Sequence, residues 1–502
     1  EPSTQYSTPG LAPERRGFTT NSELGQWLHN IAKAAPRGPT QASVLQLGAS
    51  QQGEPILGLL LTRAKGMDMA SLEANGRSTV VLIGQQHGDE PAGSEALLVV
   101  ARELAQGLLE PLLDRINVVV IPRANPDGAT NGNRTTANGV DMNRDHLLLN
   151  TPEARALARV VRDYRPILVL DAHEFTVAGR YLQKFNAIQR YDALLQYTTT
   201  ANYHEFLTKA SQEWYHQPML GALQSQGMSS EWYYTTSTQP DDKRISMGGV
   251  QPDTGRNVNG LKNAVSLLVE TRGVGLGRLH IQRRVHTQVT TITSALRSTA
   301  ERAADLEQVR SYVARDTASK ACKGQVVIEA QATPMQRELT MLDPDTGADR
   351  TLKVDWNSSL ALRPVKSRPR PCGYWLAAHA TAAVERLQML GVQVLRIAEP
   401  GALLADTYHE TARETTERTD VRGTIAGGSS IIRTQVTPVR SAIDVPAGSF
   451  YVPLNQGLAH LAVAALEPDT QSSYFANRLI DELGSTARVM TVPSLVFEES
   501  DE

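Results

Sequence analysis

The chain has 502 residues, 41% of them hydrophobic and 21% charged, with a formal net charge of −3. Such a length predicts two or three domains with cores of ordinary size. The charge balance excludes the basic surface of a nucleic-acid binder and a polybasic membrane anchor, and no apolar run approaches the roughly 18 residues needed to cross a bilayer.

The opening EPSTQYSTPGLAPERRG lacks Met and is rich in Pro and Ser, so residues 1–20 read as the extension of a processed or trimmed chain. A signal peptide would be missing from such a chain, and the expected location is periplasmic or secreted. NSELGQWLHNIAK, residues 21–33, predicts a helix with Leu24, Trp27, Leu28 and Ile31 on one face. SVLQLGASQQGEPILGLLLTR predicts two strands joined at Gln51-Gln52-Gly53. STVVLIGQQHG then reads as a strand, PAGSEALLVVARELAQ as a helix and RINVVVIPRANPDG as a strand closed by a turn. TPEARALARVVRDYRP reads as a helix capped by Thr151, and PILVLDAHEF as a strand.

The runs VVLIG, INVVVIP and ILVLDAH are short, continuous and rich in β-branched residues, and they alternate with helices. This rhythm predicts an α/β fold: a mixed, mostly parallel sheet with helices on both faces. Ligands of such sheets bind beyond the carboxyl ends of the strands. The residues at those ends are His87, Arg123 with Asn125, and His173.

From Arg180 to Thr254 aromatic residues cluster, predicting long helices and a loop over the site. NGLKNAVSLLVETRG predicts a strand ending at Glu270, followed by a long helix from about Gln282 to Ala318. Beyond Lys323 antiparallel strands are expected, with SRPRPCGY as a Pro-rich linker. The expected organisation is an extension (1–20), a catalytic domain (21–320) and a smaller C-terminal α+β or β module (321–502), its boundary between about 320 and 375. DPDTGADR at 343–350 has acids at alternate positions that faintly suggest calcium, but a hairpin turn accounts for them better. The two cysteines, Cys322 and Cys372, can form one disulfide in an exported protein or stand as separate thiols.

His87 and Glu90, three residues apart, share a face if the intervening loop turns helically. Zinc accepts imidazole nitrogen and carboxylate oxygen, and its catalytic sites hold three protein ligands. His173, ending another strand, is the natural third.

Five blocks extend this pattern: GQQHGDEPAG, NPDG at 125–128, GNRTTANGVDMNRDH at 132–146, LDAHEF at 170–175 and LLVETRG at 267–273. In order and type they resemble the zinc metallocarboxypeptidase family, from about Asn21 to Arg284, and the chain looks most like exported bacterial members with a C-terminal extension. The resemblance implies one Zn2+ ion held by His87, Glu90 and His173. It implies that Arg134 polarises the scissile carbonyl, that Asn143 and Arg144 grip the substrate's terminal carboxylate, that Asp141 supports the first histidine, and that Glu270 is the general base. Each role suits its side chain. A guanidinium cannot lose its charge beside an oxyanion, its fork matches a carboxylate, and a carboxylate on the far nitrogen of an imidazole fixes the tautomer.

The sequence also departs from the family. Asp89 stands where many members have Arg, and SMGGVQPDTGRN offers no clear counterpart for the tyrosine that caps the substrate, for which Tyr233 or Tyr234 could substitute. Arg256, 14 residues before Glu270, is expected to line the side-chain pocket and favour an acidic or carboxylated group. The expected reaction is hydrolysis of a C-terminal peptide bond, with a peptide bearing a free carboxylate as the partner. The alternatives are a peptidoglycan peptide amidase, an N-acyl amino acid deacylase, or a non-catalytic binding protein on a peptidase fold.

Overall fold

A computed structural model describes residues 2–36 and 38–499. Seven strands open the main sheet in chain order: β1 (Gln41–Ala49), β2 (Pro55–Thr62), β3 (Ser78–Gly84), β4 (Ile116–Ile121), β5 (Leu168–Thr176), β6 (Ala193–Tyr197) and β7 (Ser230–Trp232). Two short strands follow, β8 (Thr235–Thr236) and β9 (Ile245–Ser246), and β10 (Val265–Val274) then returns to the sheet. The sheet runs β1-β2-β4-β3-β5-β10-β6-β7. Its centre, β4-β3-β5-β10, is parallel, and β2 and β6 flank it antiparallel.

Alternation along the apolar strands explains why both faces are covered. Val80 and Leu82 of β3 join Val118 and Val120 of β4 in a core beneath helices Asn21–Ala34, Ala92–Gln106 and Ile281–Ser319. Val81 and Ile83, with Val119 and Ile121, point the other way and pack on Ala156, Leu157 and Val160 of helix Pro152–Tyr164. Successive side chains of a strand face opposite sides, so a β-branched run with no polar residue needs a helix on each.

Several local expectations are corrected. NPDG opens a short helix, Pro126–Asn131, because the Asn125 side chain accepts the Gly128 N–H and caps it. Between 180 and 254 one long helical run forms over residues 205–225, with a π-helical turn at Ser211–His216 in its middle; the rest is short helices and strands, and β6 extends the main sheet, where the antiparallel neighbour β10 supplies its backbone partners. β10 continues past Glu270 to Val274.

The C-terminal part begins with a long hairpin, β11 (Gln325–Leu342) and β12 (Asp349–Pro369), and residues 343–348 form its turn. Asp343 Oδ1 accepts the N–H groups of Asp345 and Thr346 there, spending that acid on the turn. The expected linker SRPRPCGY instead closes β12 at Pro369 and opens the next strand at Gly373. Its Arg368 is buried, donating to Glu467 and Asp469 at 2.8 Å each. Glu467 also accepts from Arg488, Tyr374 and Tyr408, so the charge is fully partnered.

Eight further strands follow: β13 (Gly373–Leu376), β14 (Leu395–Arg396), β15 (Gly401–Thr416), β16 (Thr419–Asp420), β17 (Gly423–Thr424), β18 (Ile431–Val445), β19 (Phe450–Pro453) and β20 (Thr486–Val489). Six of them form a sheet in the order β14-β19-β13-β20-β15-β18. β16 and β17 pair only with each other, at the end of the long β15–β18 hairpin. A shared apolar cluster joins Leu147, Leu148 and Val258 to Tyr374, Val452 and Leu461. Cys322 and Cys372 are disulfide-bonded. Among the described residues, no helix is long and apolar enough to cross a membrane.

Candidate metal centre

The carboxyl ends of β3, β5 and β10 lie side by side and deliver the central groups. β5 and β10 are parallel and pair His173 with Glu270 directly, so both side chains leave the same face of the sheet. His87 follows β3 on a turn in which the Glu90 N–H donates to the His87 carbonyl at 3.2 Å. That turn is what brings positions i and i+3 together. Gly88 lets it sit against the neighbouring loop, since a Cβ there would overlap the Gly128 backbone.

His87, Glu90 and His173 converge, all buried, with ligand atoms within 4.8 Å of one another. Glu90 Oε2 lies 2.7 Å from His87 Nδ1, and Glu90 Oε1 lies 3.1 Å from His173 Nδ1. The two Nδ1 atoms face each other at 3.3 Å. Two imidazole nitrogens on one tetrahedral zinc ion at normal bond lengths stand about 3.4 Å apart. The residues therefore fit a single zinc ion.

The opposite ring nitrogens are held by carboxylates. His87 Nε2 meets Asp141 Oδ1 at 2.8 Å. His173 Nε2 stands 2.8 Å from Asp171 Oδ2, off the line of a good hydrogen bond. Acceptors on Nε2 favour the tautomer whose Nδ1 carries a lone pair, which is the form that ligates. Asp171 was not anticipated from the sequence. Its signal is the alternation in LDAHEF, which puts residues 171 and 173 on one side of β5.

Asp141 also caps the short helix Met142–Arg144, accepting the Asn143 N–H at 3.0 Å, and it receives Arg134 Nε at 3.0 Å. Burial alone would push its carboxyl up, but Arg134 and His87 outweigh burial and hold it well below the usual carboxylate range. Arg134 Nη1 stands 3.7 Å from Glu90.

A cavity opens over these groups, lined by Arg134, Asn143, Arg144, Tyr233, Arg256 and Glu270 among others. The Asn143 side-chain oxygen accepts the Gly255 N–H at 2.9 Å. Arg144 Nε donates to Asp420 at 2.8 Å. Arg256 gives its donors to neutral acceptors: Gly249 O at 3.0 Å, Thr199 Oγ1 at 3.2 Å and Tyr197 O at 3.3 Å. Burial pulls its pKa down to about 10. Burial lifts the Glu270 carboxyl to about 7, against the opposing pull of His173.

Of the two candidate tyrosines, Tyr233 presents its phenol to the cavity charges, with Glu270, Arg144 and Arg134 all acting on it. Tyr234 is fully buried, its hydroxyl spent on Gln189. Glu174 is not a fourth ligand. It forms a two-pronged pair with Arg284 at 2.9 Å and accepts the Ala92 N–H at 3.0 Å. Asp420 and Arg422, which reach the site from the C-terminal part, were not anticipated. The turn signal in TDVRGT marks a hairpin tip but not where that tip lands.

A parallel α/β sheet presenting two imidazoles and a carboxylate at spacing for one ion, with a buried carboxylate beside them, defines a mononuclear metallohydrolase. A family model described as zinc carboxypeptidase matches residues 25–246. Over this stretch the chain carries a zinc carboxypeptidase domain with a site for one ion, and the protein is a hydrolase.

Carboxypeptidase 2 of Trichophyton rubrum is 27% identical over 399 residues, covering 79% of this chain and 72% of that protein. Carboxypeptidase 2 of Trichophyton equinum is 26% identical over 479 residues, covering 93% of this chain and 86% of that protein, so this likeness extends through the C-terminal part. Among solved structures, carboxypeptidase A of Helicoverpa armigera has a TM-score of 0.43 and 15% identity, covering 59% of this chain and 78% of that one.

Proposed function

We propose that the protein releases single amino acids from the carboxyl end of peptides, with His87, Glu90 and His173 holding the zinc ion and Glu270 acting as general base. The observation that carries this reading is the pairing of Glu270 with His173 across β5 and β10, which sets a buried carboxylate beside the donor cluster. When bound, zinc supplies Lewis acidity and lowers the pKa of water to about 7.

The chain's own residues do the rest. Glu270 takes the proton of the attacking water and hands it to the departing amine. Its raised pKa suits both transfers near neutral pH. Arg134, half-open to the cavity and oriented by Asp141, stabilises the oxyanion that develops on the scissile carbonyl. Asn143 and Arg144 bind the terminal carboxylate, which confines cleavage to the last peptide bond. Tyr233 closes the cavity beside the reacting group. Arg256 lines the side-chain pocket and favours an acidic residue there, because its buried guanidinium has no carboxylate partner among the described residues. The bonded Cys322–Cys372 pair supports an exported, oxidising location.

The test is a peptide library varied at the C-terminus, digested with and without chelator and read by mass spectrometry. Chelator-sensitive loss of single C-terminal residues is expected. Cleavage restricted to cell-wall peptides or N-acyl amino acids, or no hydrolysis with added zinc, refutes the reading. An unchanged side-chain preference in Arg256→Ala removes the role given to Arg256.

A further inference from the structure

The β15–β18 hairpin ends in a tongue, residues 417–430, that lies against the catalytic loops. The Ala426 carbonyl accepts the Asp141 N–H at 3.2 Å, and Arg418 donates to the Arg144 carbonyl at 2.8 Å. The Thr238 N–H donates to the Arg422 carbonyl at 2.9 Å. Gly427, with φ at +75°, packs so tightly on Gly139 and Val140 that a Cβ there would collide with both. The tongue is thereby fixed to both sides of the cavity mouth.

Its tip is the two-residue turn Val421-Arg422 between β16 and β17. One Asp420 oxygen accepts the N–H groups of Arg422 and Gly423, and the other receives Arg144 Nε. This sets the turn at the cavity wall, where Val421 and Arg422 are lining residues.

The arginines of that wall are unevenly matched. Arg134 is paired with Asp141, and Arg144 with Asp420. Arg180, Arg256 and Arg422 form no salt bridge among the described residues, although the Arg422 charge adds to that of Arg144 in holding the Asp420 carboxyl down. Arg180 and Arg256 at least donate to backbone carbonyls, whereas the half-buried Arg422 side chain has no hydrogen-bonding partner among the described residues. Unmatched guanidinium groups in a partly enclosed cavity repel one another, and a bound zinc ion adds to the positive field. An anionic group entering the cavity relieves that repulsion and meets a free guanidinium fork.

We propose that the C-terminal part completes the substrate site, with Arg422 as a specificity-determining residue that pairs with a second carboxylate, on the side chain of a C-terminal Glu or Asp. This inference rests on the peptidase reading above, including its acidic side-chain preference, and adds a second guanidinium that selects the carboxylate and the part of the chain that supplies it. It also assigns a function to the tongue: a pocket built only from residues before 320 would lack the Arg422 guanidinium.

The test uses the full-length zinc-loaded protein and two blocked peptides identical except for a terminal Glu or Gln, a pair that differs in charge and scarcely in shape. Wild type is expected to favour Glu in kcat/KM by about tenfold or more. Arg422→Gln should lower the Glu rate by about tenfold while the Gln rate changes less than about threefold, and Arg422→Lys should keep part of the preference. An unchanged preference in Arg422→Gln, or an equal fall for both peptides, overturns the proposal. Calorimetric binding of free glutamate and glutamine to the same proteins separates the two readings. If wild type cleaves neither peptide yet prefers glutamate, and Arg422→Gln does not, the peptidase reading fails and the assignment of Arg422 stands. If no preference for glutamate is found in either assay, the assignment fails.

Discussion

Asp141→Asn tests how the metal centre is built, because the change keeps the shape and removes one acceptor. Asp141 Oδ1 serves His87 Nε2 at 2.8 Å and the Asn143 N–H at 3.0 Å, while Oδ2 serves Arg134 at 3.0 Å. An amide has one oxygen. If that oxygen stays on His87, the NH2 group faces the donors of Arg134 and the guanidinium loses its orientation. If it turns to Arg134, the NH2 group meets His87 Nε2 and drives the proton to Nδ1, the atom that must ligate. Both arrangements also remove the negative charge that makes the imidazole a better ligand. Replacing such a supporting carboxylate typically weakens zinc binding about 10- to 100-fold, or about 1.4–2.7 kcal/mol. Competition with a fluorescent zinc chelator measures this directly, without reference to turnover. A zinc Kd within about threefold of wild type would refute the account of Asp141 as a support for His87.

Three further outcomes are expected. Glu270→Gln should lower kcat by about 10²–10⁴ while leaving the zinc Kd nearly unchanged. Glu270 must be ionised to accept a proton, so wild-type kcat/KM should rise with pH through its pKa. That pKa is about 7 without the ion and lower beside a bound cation, and a pH–rate profile of the variant should lack this limb. Arg284→Ala leaves Glu174 buried without its two-pronged partner, and denaturant melts should show a loss of about 3–5 kcal/mol; a loss under about 1 kcal/mol would contradict the pairing. Serine at both Cys322 and Cys372 releases a loop closed over a sequence separation of 50, so melts should show a loss of about 4 kcal/mol in the chain-entropy account, with no change in zinc affinity.

Sequence by itself determined the local frame. The runs VVLIG, INVVVIP and ILVLDAH are apolar apart from Asn117, Asp171 and His173, too few polar residues to make a solvent face, so they had to become central strands covered by helices, with His87 and His173 towards their carboxyl ends. Spacing placed Glu90 beside His87, because three residues of a tight turn return a side chain to the same face. Tertiary structure alone decided what meets from afar. Asp420 reaches Arg144 across 276 residues, and Arg422 enters the cavity with it, although nothing near either residue in the sequence predicts the contact. The same holds for Arg368, which read as linker charge and is instead the buried partner of Glu467 and Asp469. Local patterns specify which face a residue takes, but a long-range pairing depends on how whole sheets pack. That packing is set by many apolar contacts, none of which carries a motif.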